Sequence, residues 1–345
     1  MIKRCARGIW DETLPGIQFN EKGVSNYYRI FERFSELYPK GDGSESLWAE
    51  FVTSIRKNGK GNRYDCIIGV SGGTDSSYLL HLAAELGLRP LAVTFDNGWS
   101  SDIAVSNIKC LTDALGIDLE TYVVDYEEMK DILKSYMKAG LPWIDFPTDH
   151  AIKSILYKTA KKEGIRYILI GQDFRSEGMQ PSEWSYSDSK QLRFIQKKFG
   201  TRKIKSLPTI SYFEQIWLGY VKGIKMVYPF FFINYNKQDA QKLLIEKYGW
   251  QNYGGHHHEN LFTKFAIAYW MIRKFGIDKR IITLSAQVVS GVISREEALS
   301  HIDQPPYDPI QIERDKFYTI KKLGLSDAEF DVIWKGQEHS IYDYP

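Results

Sequence analysis

Ile67-Ile68-Gly69-Val70-Ser71-Gly72-Gly73-Thr74-Asp75-Ser76-Ser77 sets a Ser-Gly-Gly-Thr-Asp-Ser turn between an apolar strand and a helix. Gly72 and Gly73 carry no Cβ, so consecutive backbone N–H groups can turn into one concavity, and Ser71 and Ser76 add hydroxyls. Leu79, Leu82, Ala83 and Leu86 follow at helical spacing up to Gly87, which aims the positive end of a helix at the turn. The stretch is a seat for phosphate. A bare Gly-Gly pair would make only a tight turn. Here Tyr64-Asp65-Cys66-Ile67-Ile68 precedes it and Leu91-Ala92-Val93-Thr94-Phe95 follows, so it opens an alternating strand and helix series.

The series continues with strands predicted over 64–70, 91–95, 119–124 and 167–171, and helices over 75–86, 101–115, 127–139 and 149–163. This predicts an α/β fold with a parallel, doubly wound sheet. Right-handed crossovers bring the Ser71 turn, Phe95-Asp96-Asn97-Gly98 and Gly171-Gln172-Asp173 to one rim, around one nucleotide.

Beyond residue 175 the chain turns to aromatic-rich loops and helices. Ser294-Arg295-Glu296-Glu297 and Ser326-Asp327-Ala328-Glu329 read as capping boxes. Asn260 reads as the cap of a helix that ends at Gly276 and buries Phe262, Phe265, Ala266 and Tyr269. Met226 to Ile233 is a buried strand or core segment, and Gly59-Lys60-Gly61-Asn62 a linker. The expected organisation is an N-terminal region at 1–60, a sheet domain at 61–200 and a helical region at 201–345.

The chain has 345 residues, 43% of them hydrophobic, and a formal net charge of +2. That is enough for a main domain with additions, and too balanced for a surface that tracks nucleic acid. The Lys-rich run from Gln196 to Lys205 is a solvated loop or a seat for an anionic ligand. Three scattered cysteines, Cys5, Cys66 and Cys110, make no disulfide framework, and the N-terminus has no secretory apolar core. With no apolar run long enough to span a bilayer, the expectation is a cytoplasmic enzyme without membrane insertion.

The Ser71–Ser76 turn resembles the PP-loop of ATP pyrophosphatases, the adenine nucleotide alpha hydrolase-like enzymes that split ATP into AMP and pyrophosphate. No Gly-Lys-Ser/Thr follows the glycines as in a Walker A loop, and Ser76 stands where a dinucleotide fingerprint wants a third glycine.

The resemblance extends over nearly the whole chain to the N-acetyl sugar amidotransferase family of bacterial lipopolysaccharide and O-antigen biosynthesis. It is carried by the PP-loop, Phe95-Asp96-Asn97-Gly98-Trp99, Pro147-Thr148-Asp149-His150, the Gly171 to Trp184 segment with Ser176-Glu177-Gly178, and Gly254-Gly255 to Glu259. It implies that an acetamido group on a nucleotide-linked sugar, a UDP-linked diacetamido uronic acid, becomes an acetamidino group through an O-adenylyl imidate, with ATP, Mg²⁺ and ammonia.

On that basis Ser71, Gly72, Gly73, Thr74 and Ser76 hold the departing pyrophosphate, where charge accumulates as the bond breaks. Val93, Thr94 and Phe95 face adenine, and Gly171 permits close approach of the nucleotide. Asp75 is the Mg²⁺-associated carboxylate, or else a charge favouring the helix dipole. Asp149 and His150 precede a helix and are expected to bind the substrate, Asp149 being alternatively a simple N-cap. Glu177, Trp184, His256, His257 and Glu259 hold the sugar, with His257 and Glu259 also managing protons. Adjacent histidines diverge and make no zinc site. The family has lysine where this chain has His256.

Family members also resemble one another in a four-cysteine N-terminal zinc knuckle, but here the four positions read Cys5, Gly8, Ser25 and Tyr28. Structural zinc is not expected. A hairpin with its turn at Asn20–Gly23, packed through Ile17, Phe19, Val24 and Tyr27, is. No glutaminase nucleophile is legible: residue 2 is Ile2, and Cys66 and Cys110 fall in a strand and a helix. A partner glutaminase with a cyclase-like companion, like the subunits of imidazole-glycerol-phosphate synthase, is therefore expected. The alternatives are a tRNA-modifying PP-loop enzyme and a non-catalytic nucleotide-binding subunit.

Overall fold

The computed structural model describes residues 2–254 and 259–345. Five strands, β1 (Cys66–Gly69), β2 (Pro90–Asp96), β3 (Leu119–Val123), β4 (Tyr167–Leu169) and β5 (Lys225–Val227), pair in parallel in the order β3-β2-β1-β4-β5. The order reverses at β1, where an open sheet leaves a crevice at its carboxyl ends. The four predicted strands are all present. β5 overlaps the start of the Met226–Ile233 stretch read as a buried strand or core segment, and it lies beyond residue 200, so the sheet reaches into the expected helical region.

Strand residues alternate between two apolar clusters, as a two-period pleat buried on both faces requires. Ile67, Leu91, Val93 and Ile168 join one, and Cys66, Ile68, Ala92 and Leu169 the other. The helices Thr74–Glu85, Asp102–Leu115, Tyr126–Lys138 and Phe146–Glu163 follow the predicted order. The last starts three residues earlier than expected, at Phe146 with Asp145 at the cap position, and carries Pro147 in its first turn.

Asn260 caps the helical stretch Leu261–Phe275 through the N–H groups of Phe262 and Thr263, and Gly276 ends it at φ 65°. Its middle, Ala266–Met271, is a π-turn packed into the core. Ser326 forms the full capping box with Glu329, whereas Ser294 receives only the Glu297 N–H.

The N-terminal turn forms at Asn20–Gly23: the Asn20 side chain accepts from Lys22 and Val24, and Gly23 sits at φ 71°. Cys5 is buried, and its Sγ accepts the Ser25 N–H at 3.3 Å. The Lys-rich run is held from below. Asp131 accepts from Thr201 N–H, Thr201 hydroxyl, Arg202 N–H and the Gln196 amide, and Glu128 accepts from Lys205, Ser206 and Leu207 N–H. Among the described residues no helix is long and apolar enough to cross a membrane.

Candidate active site

A cavity of about 670 Å³ opens where the carboxyl ends of β1, β2 and β4 meet. Ser71, Gly73, Asp75 and Ser76 line one wall; Val93, Thr94 and Phe95 another; Ile170, Gly171 and Gln172 a third. Asp149, Glu177 and Glu259 face the same space.

The loop is ordered by its own hydroxyls. The Ser76 Oγ accepts the Ser71 N–H at 3.2 Å, and the Ser71 Oγ accepts the Gly73 N–H at 3.2 Å. Gly72 has φ 79°, and a side chain there would collide with the Ala104 carbonyl. Its own carbonyl accepts from Asn107 and the Trp250 indole, which pins the loop to the sheet's flank. A Cβ at Gly73 would stand 3.1 Å from both the Ser71 Oγ and the Tyr253 hydroxyl, inside the concavity.

Thr74 departs from the expected cradle. Its N–H donates to the Tyr253 hydroxyl at 3.2 Å, and its buried side chain accepts from Gln241. Neither Thr74 nor Gly72 lines the cavity. Gly171 allows a close approach, but of chain to chain: a Cβ there would lie 2.8 Å from the Asp75 carbonyl, so this glycine seats β4's exit against the start of the Thr74–Glu85 helix.

Asp75 is engaged on both oxygens. Tyr235 hydroxyl donates to Oδ1, and the Lys237 ammonium lies 2.6 Å from Oδ2. Tyr235 is set in place by stacking on Phe230, with ring centroids 4.1 Å apart. Burial opposes the charge on Lys237, but Asp75 and Glu177 outweigh it and hold its pKa above the usual lysine value. Burial, and then the neighbouring Asp75 charge, push the Tyr235 phenol upward as well.

Asp149 is neither the cap nor outside the helix. Asp145 occupies the cap position, and Asp149 sits in the first turn, with Oδ2 accepting the Trp143 indole N–H at 2.7 Å. Lys279 stands 4.4 Å above that indole ring. Burial lowers the Lys279 pKa to about 8 against the pull of Asp149, Glu177 and Asp145.

His150 and Trp184 are buried and do not line the cavity. The His150 Nε2 accepts the Ile210 N–H at 3.4 Å, and burial lowers its pKa to about 4, so the ring is a neutral acceptor inside the core. His256 and His257 lie outside the described residues. Glu259 does face the cavity, because Ser101 N–H donates to its carbonyl and Leu261 N–H donates to that of Trp99. These bonds lay the segment after the histidines along the exit of β2. Asn97 completes the junction by accepting from Trp99 N–H and the Asn260 amide and donating to Thr148.

Lys237, Tyr235, Tyr253, Trp143 and Lys279 were not anticipated. Lys237 begins the Lys237–Tyr248 helix, and Lys279 precedes the Arg280–Val289 helix. A cation at a helix N-terminus opposes the dipole. That mismatch was the available signal.

For a triphosphate the fit is good at the loop: two hydroxyls, a glycine concavity and one lysine border the same space. For Mg²⁺, Asp75 is a suitable hard donor, since this ion usually takes one or two carboxylates and completes its shell with phosphate and water. Among the described residues no group of three or more His, Cys, Asp or Glu is arranged to hold a metal.

Residues 259–345 match the family model described as LPS biosynthesis protein WbpG-like, C-terminal domain. An uncharacterized protein of Methanocaldococcus jannaschii, MJ1599, is 22% identical over 282 residues, covering 80% of this chain and 83% of that protein. Among solved structures, the U34-tRNA thiolase NcsA from Methanococcus maripaludis, with its 4Fe–4S cluster, is similar at 15% identity and TM-score 0.36, over 90% of this chain and 92% of its own. The NMN synthetase from Francisella tularensis is similar at 16% identity and TM-score 0.31, over 68% and 96%.

Proposed function

With a WbpG-like C-terminal domain joined to a PP-loop sheet as the premise, we propose that the chain is an ATP-dependent, AMP- and pyrophosphate-forming amidotransferase acting on the acetamido group of a nucleotide-linked sugar. One observation carries this reading: Glu259, Asn260 and Thr263, from the WbpG-like region, line the same cavity as Ser71, Gly73, Asp75 and Ser76. A phosphate seat and a sugar-pathway domain thus share one reaction space.

The chemistry follows from what each wall offers. An amide oxygen is a poor leaving group, so the acetamido oxygen attacks the α-phosphorus of ATP, expelling pyrophosphate and forming an O-adenylyl imidate. Ammonia then adds to the imidate carbon, a proton departs, and AMP leaves with the former amide oxygen. The Ser71 and Ser76 hydroxyls take the pyrophosphate, where negative charge grows as the bond breaks, and the Gly73 N–H orients the Ser71 hydroxyl for it. Lys237 is near enough to shift from Asp75 onto that charge. When bound with the nucleotide at Asp75, Mg²⁺ would supply neutralisation of phosphate charge. Glu259 and Glu177 accept protons from the attacking ammonia. Asp149, Trp143 and Lys279 form the wall for the sugar, the indole supplying the apolar face and the charged groups the hydroxyl contacts. Ammonia comes from a partner glutaminase.

The test supplies ATP, Mg²⁺, ammonium and a UDP-linked acetamido sugar to the purified chain. Pyrophosphate and AMP should appear together, with a product lighter by the difference between an oxygen and an NH group. Cleavage to ADP, or turnover of tRNA in place of the sugar, would refute the reading.

A further inference from the structure

The Tyr212–Tyr220 helix turns an apolar flank to solvent. Its inner side is fastened by Leu218, which is fully buried, and by Gln215, which hydrogen-bonds with Tyr157. On its outer side Phe213 is 81% and Tyr220 88% exposed, and Tyr212, Ile216, Trp217 and Val221 are exposed with them. These six recur at i, i+1, i+4, i+5, i+8 and i+9, which is one stripe of a helix. None of them lines the cavity.

Cations bracket the stripe. The ammonium groups of Lys161 and Lys222 lie 5.3 Å and 5.2 Å from the centre of the Trp217 ring. At the other end Arg193 donates to the Thr209 hydroxyl at 3.2 Å, just before the helix begins. The preceding loop spends its backbone N–H groups on Asp131 and Glu128, which turns the side chains of Arg202, Lys203 and Lys205 outward and exposed. From Ser189 to Lys225 the sequence holds Lys190, Arg193, Lys197, Lys198, Arg202, Lys203, Lys205, Lys222 and Lys225 against the single acid Glu214, in a chain whose net charge is only +2.

We propose that this flank docks the enzyme on an anionic lipid surface, with the helix lying flat in the headgroup layer. Tyr, Trp and Phe suit that layer because each joins an apolar or amphipathic ring to a boundary between water and hydrocarbon. The surrounding Lys and Arg complement anionic headgroups. A second copy of the chain is disfavoured, since a symmetric contact would bring two strongly basic rims together. The docking is peripheral: the helix is too short to span a bilayer.

Vesicle sedimentation tests this with the intact chain and phosphatidylcholine vesicles with or without phosphatidylglycerol, at low and high salt. The chain should pellet with the anionic vesicles and be released by salt. The variant Phe213→Ser/Trp217→Ser/Tyr220→Ser and, separately, Arg202→Gln/Lys203→Gln/Lys205→Gln should each weaken binding by about tenfold or more. Both should keep the wild-type circular dichroism spectrum and the same pyrophosphate release. The proposal is overturned if the chain stays in the supernatant with anionic vesicles, or if both variants pellet as the wild type does. A dimer seen by light scattering and abolished by the aromatic variant would overturn it in favour of self-association.

Discussion

Lys237 Nζ lies 2.6 Å from Asp75 Oδ2, joining the first turn of one helix to the first turn of another across 162 positions of sequence. The ion pair places a cation beside the phosphate seat and keeps Asp75 aimed at it. Lys237→Met and Asp75→Asn should each reduce pyrophosphate release by about a hundredfold or more. Because the two side chains act as a unit, the double variant should be far less impaired than the product of the two losses. Steady-state rates of the three variants decide it, and an unimpaired Lys237→Met would assign that lysine to structure alone.

Gly72 and Gly73 should separate stability from binding. Gly72→Ala forces a side chain onto φ 79° and into the Ala104 carbonyl, so it should cost about 2 kcal/mol or more in urea denaturation. Gly73 has φ −73°, which alanine adopts freely. Gly73→Ala should melt near wild type, yet raise KM for ATP about tenfold, because its methyl group fills the concavity beside Ser71 and Tyr253.

Asn97 is almost fully buried and ties three segments together, so its removal leaves polar partners stranded. Asn97→Ala should lower stability by about 1–3 kcal/mol, measured by chemical denaturation. It should also raise KM for the sugar, since Asn260 and Glu259 lose their anchor on the exit of β2.

His150 sets a pH dependence with a definite sign. Burial first, and then Lys153, depress its pKa to about 4 from 6.5. Between those values the unfolded chain holds the proton that the folded chain refuses, so stability falls as pH drops through this window, by about 3 kcal/mol at its lower end. His150→Gln retains a hydrogen-bond acceptor for the Ile210 N–H and cannot titrate. Its stability should vary less steeply than the wild type's between pH 6.5 and 4, as thermal melts in that range will show.

The legible part of the site was local. Ser71, Gly73, Asp75, Ser76, Val93, Thr94 and Phe95 all reach the cavity because the turn after β1, the helix start that follows it and the last residues of β2 meet at the carboxyl end of adjacent parallel strands. Where the reading departed, a distant partner intervened. Thr74 gives its N–H to Tyr253, and His150 turns into the core toward Ile210; Gly171 lines the cavity but its missing Cβ also makes room for the Asp75 backbone. Such partners leave no mark in the local pattern.

Glycine placement, apolar periodicity and helix caps act over a few residues, so the sequence by itself determined four strands in order, the helices between them and the phosphate-seating turn. The tertiary structure decided the rest: the fifth strand, the approach of Tyr235 and Lys237 to Asp75, and the pairing of residues 259–261 with 99–101 just past the exit of β2. These contacts join segments distant in sequence, 160 and 162 positions apart for Tyr235 and Lys237 with Asp75, and packing of the whole core, rather than any local preference, selects them.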